Sequence, residues 1–274
     1  MVCRGLTAVV LLALASGAQA GKWWENAVIY QIYTPSFYDY NEDGIGDLRG
    51  IEEKGDYLAG LGIEAVWLSP FYKSPGVDNG YDVSDFRNIE TKYGTMADFE
   101  NMLKTLREKY GIEIIIDFIL NHTSDQHEWF KKSVKKEGIY TDYYIWKDPK
   151  GYVGGKPVPP NEWKISPMLG GTSSWEWNED RKQFYYHAYH KEQPDLNLRN
   201  SNVIREFTDL FHFWLGKGVK GFRVGAVSHM FEDENMREES YYGQQTQSQA
   251  ESYDLIEDIR AFLDEYGEKN NIDM

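Results

Sequence analysis

Cysteine is almost absent: the 274 residues contain one, Cys3. A single thiol offers no disulfide framework, so stability must come from a packed core or a bound metal. Basic charge is scarce too. Lys and Arg number 29 against 44 Asp and Glu, a net charge of −15, which argues against nucleic acid or an anionic membrane surface as partner. Long apolar runs are missing after the first 20 residues, so no later segment has the length of a membrane span. The one sustained run, residues 6–15, follows Arg4 and leads to Ala18-Gln19-Ala20. That order reads as a secretory signal peptide over residues 1–20, and therefore as a secreted, extracellular product. Internal repeats and low-complexity linkers are also lacking.

Aromatic residues, by contrast, are plentiful: 15% of the chain, with Trp 9 and Tyr 20. Such rings fill cores, but they also stack on the C–H faces of sugars, and composition leaves both uses open.

Four apolar stretches read as buried strands: 27–33, 65–68, 112–120 and 222–227. Helical patterns alternate with them. One covers about 51–61; a second is capped by Thr95 and carries Phe99, Met102, Leu103 and Leu106. A third starts at Asn200 or Ser201, turns Val203, Phe207, Leu210, Phe211, Trp214 and Leu215 inward, and stops at Gly216 and Gly218. The last carries Ile256, Ile259, Phe262, Leu263 and Tyr266. Strand and helix alternating four times predicts an α/β fold with a parallel sheet and right-handed crossovers. Residues 122–200 are too long for a βα loop and predict a subdomain over the C-terminal edge of the sheet. The organisation read from the sequence is thus 1–20, 21–121, 122–200 and 201–274.

Four stretches carry chemistry. In the fourth strand, alternation sets Arg223, Gly225 and Val227 on one face. A buried arginine needs a carboxylate or a polar ligand. Gly225 leaves a vacancy beside it, as a site wall would; a glycine-loosened bulge is the other reading. The third strand ends Asp117-Phe118-Ile119-Leu120-Asn121-His122, three polar groups where parallel sheets keep their sites. Asp117 is the expected partner of Arg223. Asn121-His122-Thr123 is the only N-glycosylation sequon, and a buried Asn121 would stay unmodified. Asp39, Asn41, Asp43 and Asp47, with the Ile45 carbonyl, place oxygens around a glycine turn in the spacing of a calcium loop. Gly50 stands where an EF-hand has its bidentate glutamate, so the loop is either a calcium site closed by Asp47 or a solvated acidic turn. Tyr81-Asp82 and Gln193-Pro194-Asp195-Leu196-Asn197 are, singly, only polar turns.

In their order and spacing, these motifs resemble the α-amylase superfamily of glycoside hydrolases, and most closely the secreted insect maltases (α-glucosidases), over residues 22–274. The resemblance implies a (β/α)8 TIM barrel, of which this chain holds about the first four βα units, with 122–200 as the inserted B domain. It also implies that Asp82, His122 and Arg223 hold a terminal glucose of maltose-type α-glucosides, with Tyr81 stacking on the ring. Asp117 and Asn121 would support that site, and Asp39, Asn41, Asp43, Ile45 and Asp47 would bind structural calcium. Ala226, small and next to the nucleophile position, fits a preference for α-1,4 links.

The chain departs from the family pattern at its catalytic residue. Where the family has Gly-Phe-Arg-hydrophobic-Asp-Ala-Val, with that aspartate as nucleophile, this sequence has Gly225. A retaining glycosidase needs one carboxylate to attack and another to protonate the leaving group. Glu232 and Asp233 lie past the strand and are not expected to substitute, and the family's acid/base glutamate has no counterpart before Met274. The expectation is an α-glucosidase-like chain that does not hydrolyse its sugar. A non-catalytic sugar-binding or receptor-like homologue and a truncated null product are the competing readings.

Overall fold

The computed structural model describes residues 22–166, 169–239 and 245–274. The signal peptide expected at residues 1–20 lies outside the described residues. Four strands, Ile29–Ile32, Ala65–Leu68, Glu113–Phe118 and Gly221–Val224, form one parallel sheet in chain order. Helices Met96–Tyr110, Ser201–Gly216 and Ala250–Asn270 follow the second, third and fourth strands. The fold is α/β and corresponds to four successive βα units. No helix among the described residues is long and apolar enough to cross a membrane.

Register decides what each face of the sheet carries. Ile32, Leu68, Ile116 and Phe222 are in line across the four strands. The first three are buried, and Phe222 packs on Phe118 and Phe211, 5.2 and 4.8 Å between ring centres. On the opposite face Gln31, Trp67, Ile115 and Gly221 form one layer, with Asp117 and Arg223 paired above it. Side chains that could do chemistry are thus set at the C-terminal end of the concave face. Behind the sheet, Phe71 and Trp214 contact each other and both Tyr72 and Phe99 in edge or stacked geometry, forming an aromatic core.

Helix ends follow their sequence signals. Thr95 and Asp98 form a reciprocal capping box, and Gly111, at φ +68°, ends that helix in a left-handed turn. Asn200, rather than Ser201, caps the next helix through the Asn202 N–H, and its six expected inward residues are all buried. The first and third strands are shorter than the expected 27–33 and 112–120, and two further elements differ from expectation. The helix expected over 51–61 begins at Leu48, capped by Asp47, and breaks at Lys54 into Leu48–Glu53 and Gly55–Gly60. The fourth strand stops at Val224, because Ala226 turns left-handed (φ +56°) and Val227–His229 winds into a 3₁₀ turn. Val227 therefore does not continue the strand face.

The insert holds a three-stranded antiparallel sheet, Trp146–Lys147, Gln183–Tyr186 and Trp175–Asn178, and a hairpin of Gly151–Val153 with Lys156–Val158. It has a small core of its own around Trp163, Trp175, Phe184 and Tyr186. Phe130, Tyr143, Tyr144 and Tyr185 belong instead to the main core, so the insert is anchored by burial. Its return is stitched to its start by bridges His122–Asp195 and Tyr144–Leu196.

Candidate functional site

Asp117 and Arg223 are cross-strand neighbours, and Arg223 Nη1 lies 3.2 and 3.3 Å from the two carboxylate oxygens. Asp117 is wholly buried, while the arginine side chain is 40% exposed. Tyr81 donates its hydroxyl to Asp117 Oδ2 at 3.0 Å, and Tyr72 donates to the Asp117 carbonyl at 2.7 Å. Burial raises the Asp117 carboxyl above its ordinary range, although Arg223 and the Tyr81 hydroxyl pull it down. Burial and the Asp117 charge push the Tyr81 phenol up to about 12, so it remains a donor. The guanidinium also sits over the Trp67 ring, 4.9 Å from its centre.

His122 is fixed by its neighbours. Asn121 donates its amide to Asp195 Oδ2 at 2.7 Å and to the His229 carbonyl at 2.6 Å. Its own oxygen is then the acceptor facing His122 Nδ1 at 2.8 Å. Nε2 lies 3.1 Å from Gln193 Nε2 and 3.2 Å from the Tyr81 carbonyl, so the ring is held on both sides. Burial lowers the imidazole to about 4, and the ring is neutral near pH 7. Tyr189 lies beside it, ring centres 5.4 Å apart, and also against His229 at 5.5 Å. Asn121 is 1% exposed.

Asp82 is near His122 but does not face an opening. It is wholly buried, with Oδ1 accepting from Ser74 Oγ at 2.8 Å and the Asp78 N–H at 3.2 Å, and Oδ2 from the Val77 N–H at 3.0 Å. The carboxylate thus serves as the lock of the 74–79 turn. Gly225 also differs from expectation in one respect. The three atoms nearest a β-carbon built there all belong to the Arg223 guanidinium, with Nη1 at 2.5 Å. The vacancy expected beside the charge is covered by the guanidinium itself.

Other carboxylates nearby are committed. Glu232 is buried against Arg199, 2.8 Å from Nη1, and Arg199 also forks onto Glu251. Asp233 pairs with Arg237. Asp195 accepts from Asn121 and from the Ala188 N–H at 2.8 Å, and burial raises its carboxyl well above the usual range.

In the acidic loop, Asp39 accepts from the Asp43 and Gly44 N–H groups and Asp43 from that of Ile45. Asn41 donates to Asp43 Oδ2 at 3.0 Å. Asp47, 4% exposed, spends Oδ1 on the helix N-cap to Gly50 and Oδ2 on the Tyr40 and Asn41 N–H groups. The five positions share one turn of hard oxygen donors, which suits calcium chemically. Among the described residues, no group of three or more His, Cys, Asp or Glu is gathered closely enough to hold a metal ion. A metal would have to take these oxygens from the loop's own N–H groups.

Trp67, Tyr189 and Arg199 were not singled out from sequence. Alternation in 65–68 marks Trp67, which shares the concave face with Gln31 and Ile115. Tyr189 and Arg199 come from the insert and its exit, and no period in the sequence points to them.

Known proteins of the same build cover this geometry. The catalytic-domain family of alpha amylase matches residues 31–272. A "Salivary alpha-glucosidase" of Aedes aegypti is 44% identical over 283 residues, 97% of this chain and 48% of that protein. The human "Amino acid transporter heavy chain SLC3A1" is 42% identical over 277 residues, 95% of this chain and 40% of that protein. Among solved structures, Bacillus licheniformis trehalose-6-phosphate hydrolase superposes with a TM-score of 0.79 at 40% identity, covering 85% of this chain and 41% of that one. The chain spans about half the length of the curated relatives it matches, and its four βα units are part of a TIM barrel of their kind. On that match, and on the motifs it places at one end of the sheet, the chain belongs to the alpha-amylase catalytic-domain family of glycoside hydrolases.

Proposed function

We propose that this chain is an α-glucosidase (maltase)-like protein that recognises terminal α-linked glucose and does not hydrolyse it. The observation that carries the reading is the concave end of the sheet. Arg223, Asp117, Tyr81 and His122 stand together there, with Gly225 where the resemblance places the nucleophile. Arg223 and the two half-buried tyrosines, Tyr81 and Tyr189, offer a charge-assisted donor and two ring faces, the combination that fits a sugar's hydroxyls and its C–H face. Asp82 would join them once the 74–79 turn yields its carboxylate. Asp39, Asn41, Asp43 and the Ile45 carbonyl would hold calcium as a structural ion, with Asp47 bracing the loop from behind. The salivary glucosidase relatives support an exported product.

The relatives include both glucosidases and a transporter heavy chain, and Gly225 favours a binding role in this chain. Calorimetry with maltose tests the reading. Binding is expected, weakened at least tenfold by Asp82→Ala and by Arg223→Gln. Heat of binding that is unchanged in both variants places the sugar elsewhere; no heat at all in the folded chain removes the reading.

A further inference from the structure

Helix Ala250–Asn270 is fastened to helix Ser201–Gly216 at two places, with a gap between them. At one end Arg199, just before the N-cap of the earlier helix, forks onto the two Glu251 oxygens at 2.8 and 2.7 Å. At the other, Phe262 packs on Phe211 and His212, ring centres 5.8 and 5.1 Å apart. Glu251 and Phe262 are roughly 16 Å apart along the helix. Between these anchors the helices stand apart, and a cavity of about 120 Å³ occupies the gap. Ile204, Phe207 and Phe211 wall it on one side, Leu255, Ile259 and Phe262 on the other. The last three share one helix face, yet each is only partly buried, so the stripe has apolar surface left to cover. Two polar residues reach the cavity. Thr208 donates its hydroxyl to the Ile204 carbonyl at 3.0 Å, whereas Asp258 has no hydrogen-bond or ion-pair partner among the described residues.

We propose that this cavity is a binding site for a small aromatic amine, its ring between the helices and its ammonium group on Asp258. The volume suits one six-membered ring, since apolar cavities of about 150 Å³ stay dry and take up benzene. A fused ring system would overfill it. Atoms that line a void forgo dispersion contacts on that side, and a bound ring restores them. Charge then selects among single-ring molecules. Asp258 is the only charged residue of the lining and is unpaired, and the whole chain carries −15, so an ammonium is favoured and a carboxylate repelled. The Asp258 side is open to solvent, so the ion pair contributes a few-fold in affinity and the ring supplies the rest. The cavity lies among the helices on the convex side of the sheet, whereas Asp117 and Arg223 stand on the concave side.

The inference goes beyond the glucose reading and does not need it. Benzylamine is the probe, added to the full chain as its hydrochloride and compared with methylamine hydrochloride at equal ionic strength and with toluene. Thermal unfolding and ligand line broadening in proton NMR read the binding. Benzylamine is expected to raise the melting temperature saturably with a millimolar midpoint, as a ligand of the native state does, and methylamine is not. Toluene should bind a few-fold more weakly than benzylamine. Asp258→Asn should weaken benzylamine a few-fold and leave toluene unchanged, a difference that a general loss of packing would not produce. Leu255→Trp, whose larger side chain fills the cavity, should abolish the response to both. Should that variant fail to fold, Ile204→Phe takes its place. No response to benzylamine, an equal response to methylamine, or a benzylamine response undiminished by Asp258→Asn or by filling overturns the proposal. Maltose binding should be the same in Asp258→Asn as in the parent, which keeps this test apart from that of the glucose reading.

Discussion

Asn121 donates to Asp195 Oδ2 at 2.7 Å and thereby ties the end of the third strand to the return of the insert. The same amide reaches the His229 carbonyl beyond the fourth strand, so one side chain joins three segments far apart in sequence. Its burial makes the Asn121-His122-Thr123 sequon unusable after folding. Expression through a secretory host should give a chain with no glycan at Asn121, as read by intact mass. Asn121→Ala should cost roughly 2–4 kcal/mol, because Asp195 would keep its burial and lose its donor. A glycan at Asn121 on folded protein, or a melting temperature unmoved by Asn121→Ala, would contradict this placement.

Glycines 225 and 50 make opposite predictions from the same kind of geometry. At Gly225 the three atoms nearest an added β-carbon all belong to the flexible end of Arg223, and the backbone there is not left-handed. Gly225→Asp should therefore fold with stability within about 1 kcal/mol of the parent. At Gly50 the added β-carbon would run into the Tyr38 carbonyl, a main-chain atom that cannot step aside. Gly50→Ala should cost about 3 kcal/mol or more. Comparable chemical-denaturation midpoints for the two variants would refute the contrast.

Two buried histidines set an acid limit. Burial lowers both His122 and His127 to about 4. His127 Nδ1 accepts the Trp129 N–H at 3.1 Å, so protonation there also breaks a helix cap. The unfolded chain binds these protons near pH 6.5 and the folded chain only near 4. The contribution is thus complete above about 6.5 and is lost as pH falls toward 4, by roughly 1.4 kcal/mol per pH unit for each histidine. Asp117, Asp195 and Glu232, raised by burial, act in the opposite sense, so the test is a difference between two proteins. His127→Gln should be destabilised at pH 7.5 and nearly as stable as the parent at pH 5. Equal destabilisation at both values would show that His127 is not a neutral buried ring.

Much of this was legible in the residues, and the reason differs from place to place. Val203, Phe207, Leu210, Phe211, Trp214 and Leu215 follow a helical period, so their burial in Ser201–Gly216 could be read directly. The Asp117–Arg223 pair was legible because a wholly buried carboxylate demands a cation and the neighbouring strand offered one. The end of the fourth strand was not. Nothing in Val224-Gly225-Ala226 requires Ala226 to turn left-handed, as it does at φ +56°. The closed position of Asp82 was hidden for a similar reason. Asp82 accepts from backbone N–H groups four and five residues away, and a backbone donor has no signature in the sequence.

Calcium should change the acidic loop measurably. Asp39 and Asp43 oxygens now accept from loop N–H groups, and a cation would exchange those weak bonds for charge-assisted coordination at about 2.3–2.6 Å. Millimolar calcium added to chelated protein should raise the melting temperature, and Asp43→Ala should abolish the rise. Asp47→Ala should lower stability with or without calcium, by about 1 kcal/mol or more, since it removes a helix cap. Identical melting in chelator and in calcium would leave the loop as an acidic turn.

The chain as written should not turn over maltose, although it is expected to bind it. Retaining hydrolysis starts with a carboxylate attacking the anomeric carbon from about the position of residue 225, with a second carboxyl group about 5–5.5 Å away. Gly225 supplies no attacking group. Asp117 is buried behind Arg223 and Tyr81, Glu232 is clamped by Arg199, and Asp233 is bonded to Arg237. Moving any of them to the anomeric carbon would break a charge pair before any chemistry began. Loss of an enzyme's nucleophile costs on the order of 10⁶ in rate. Binding energy from Arg223 and the tyrosines does not offset that, because ground-state binding leaves the barrier where it was. Glucose release from maltose by purified protein should match the buffer blank, while calorimetry on the same sample shows binding. Turnover well above the blank, abolished by Glu232→Gln or Asp117→Asn, would mean that one of these carboxylates leaves its partner and takes over the attack.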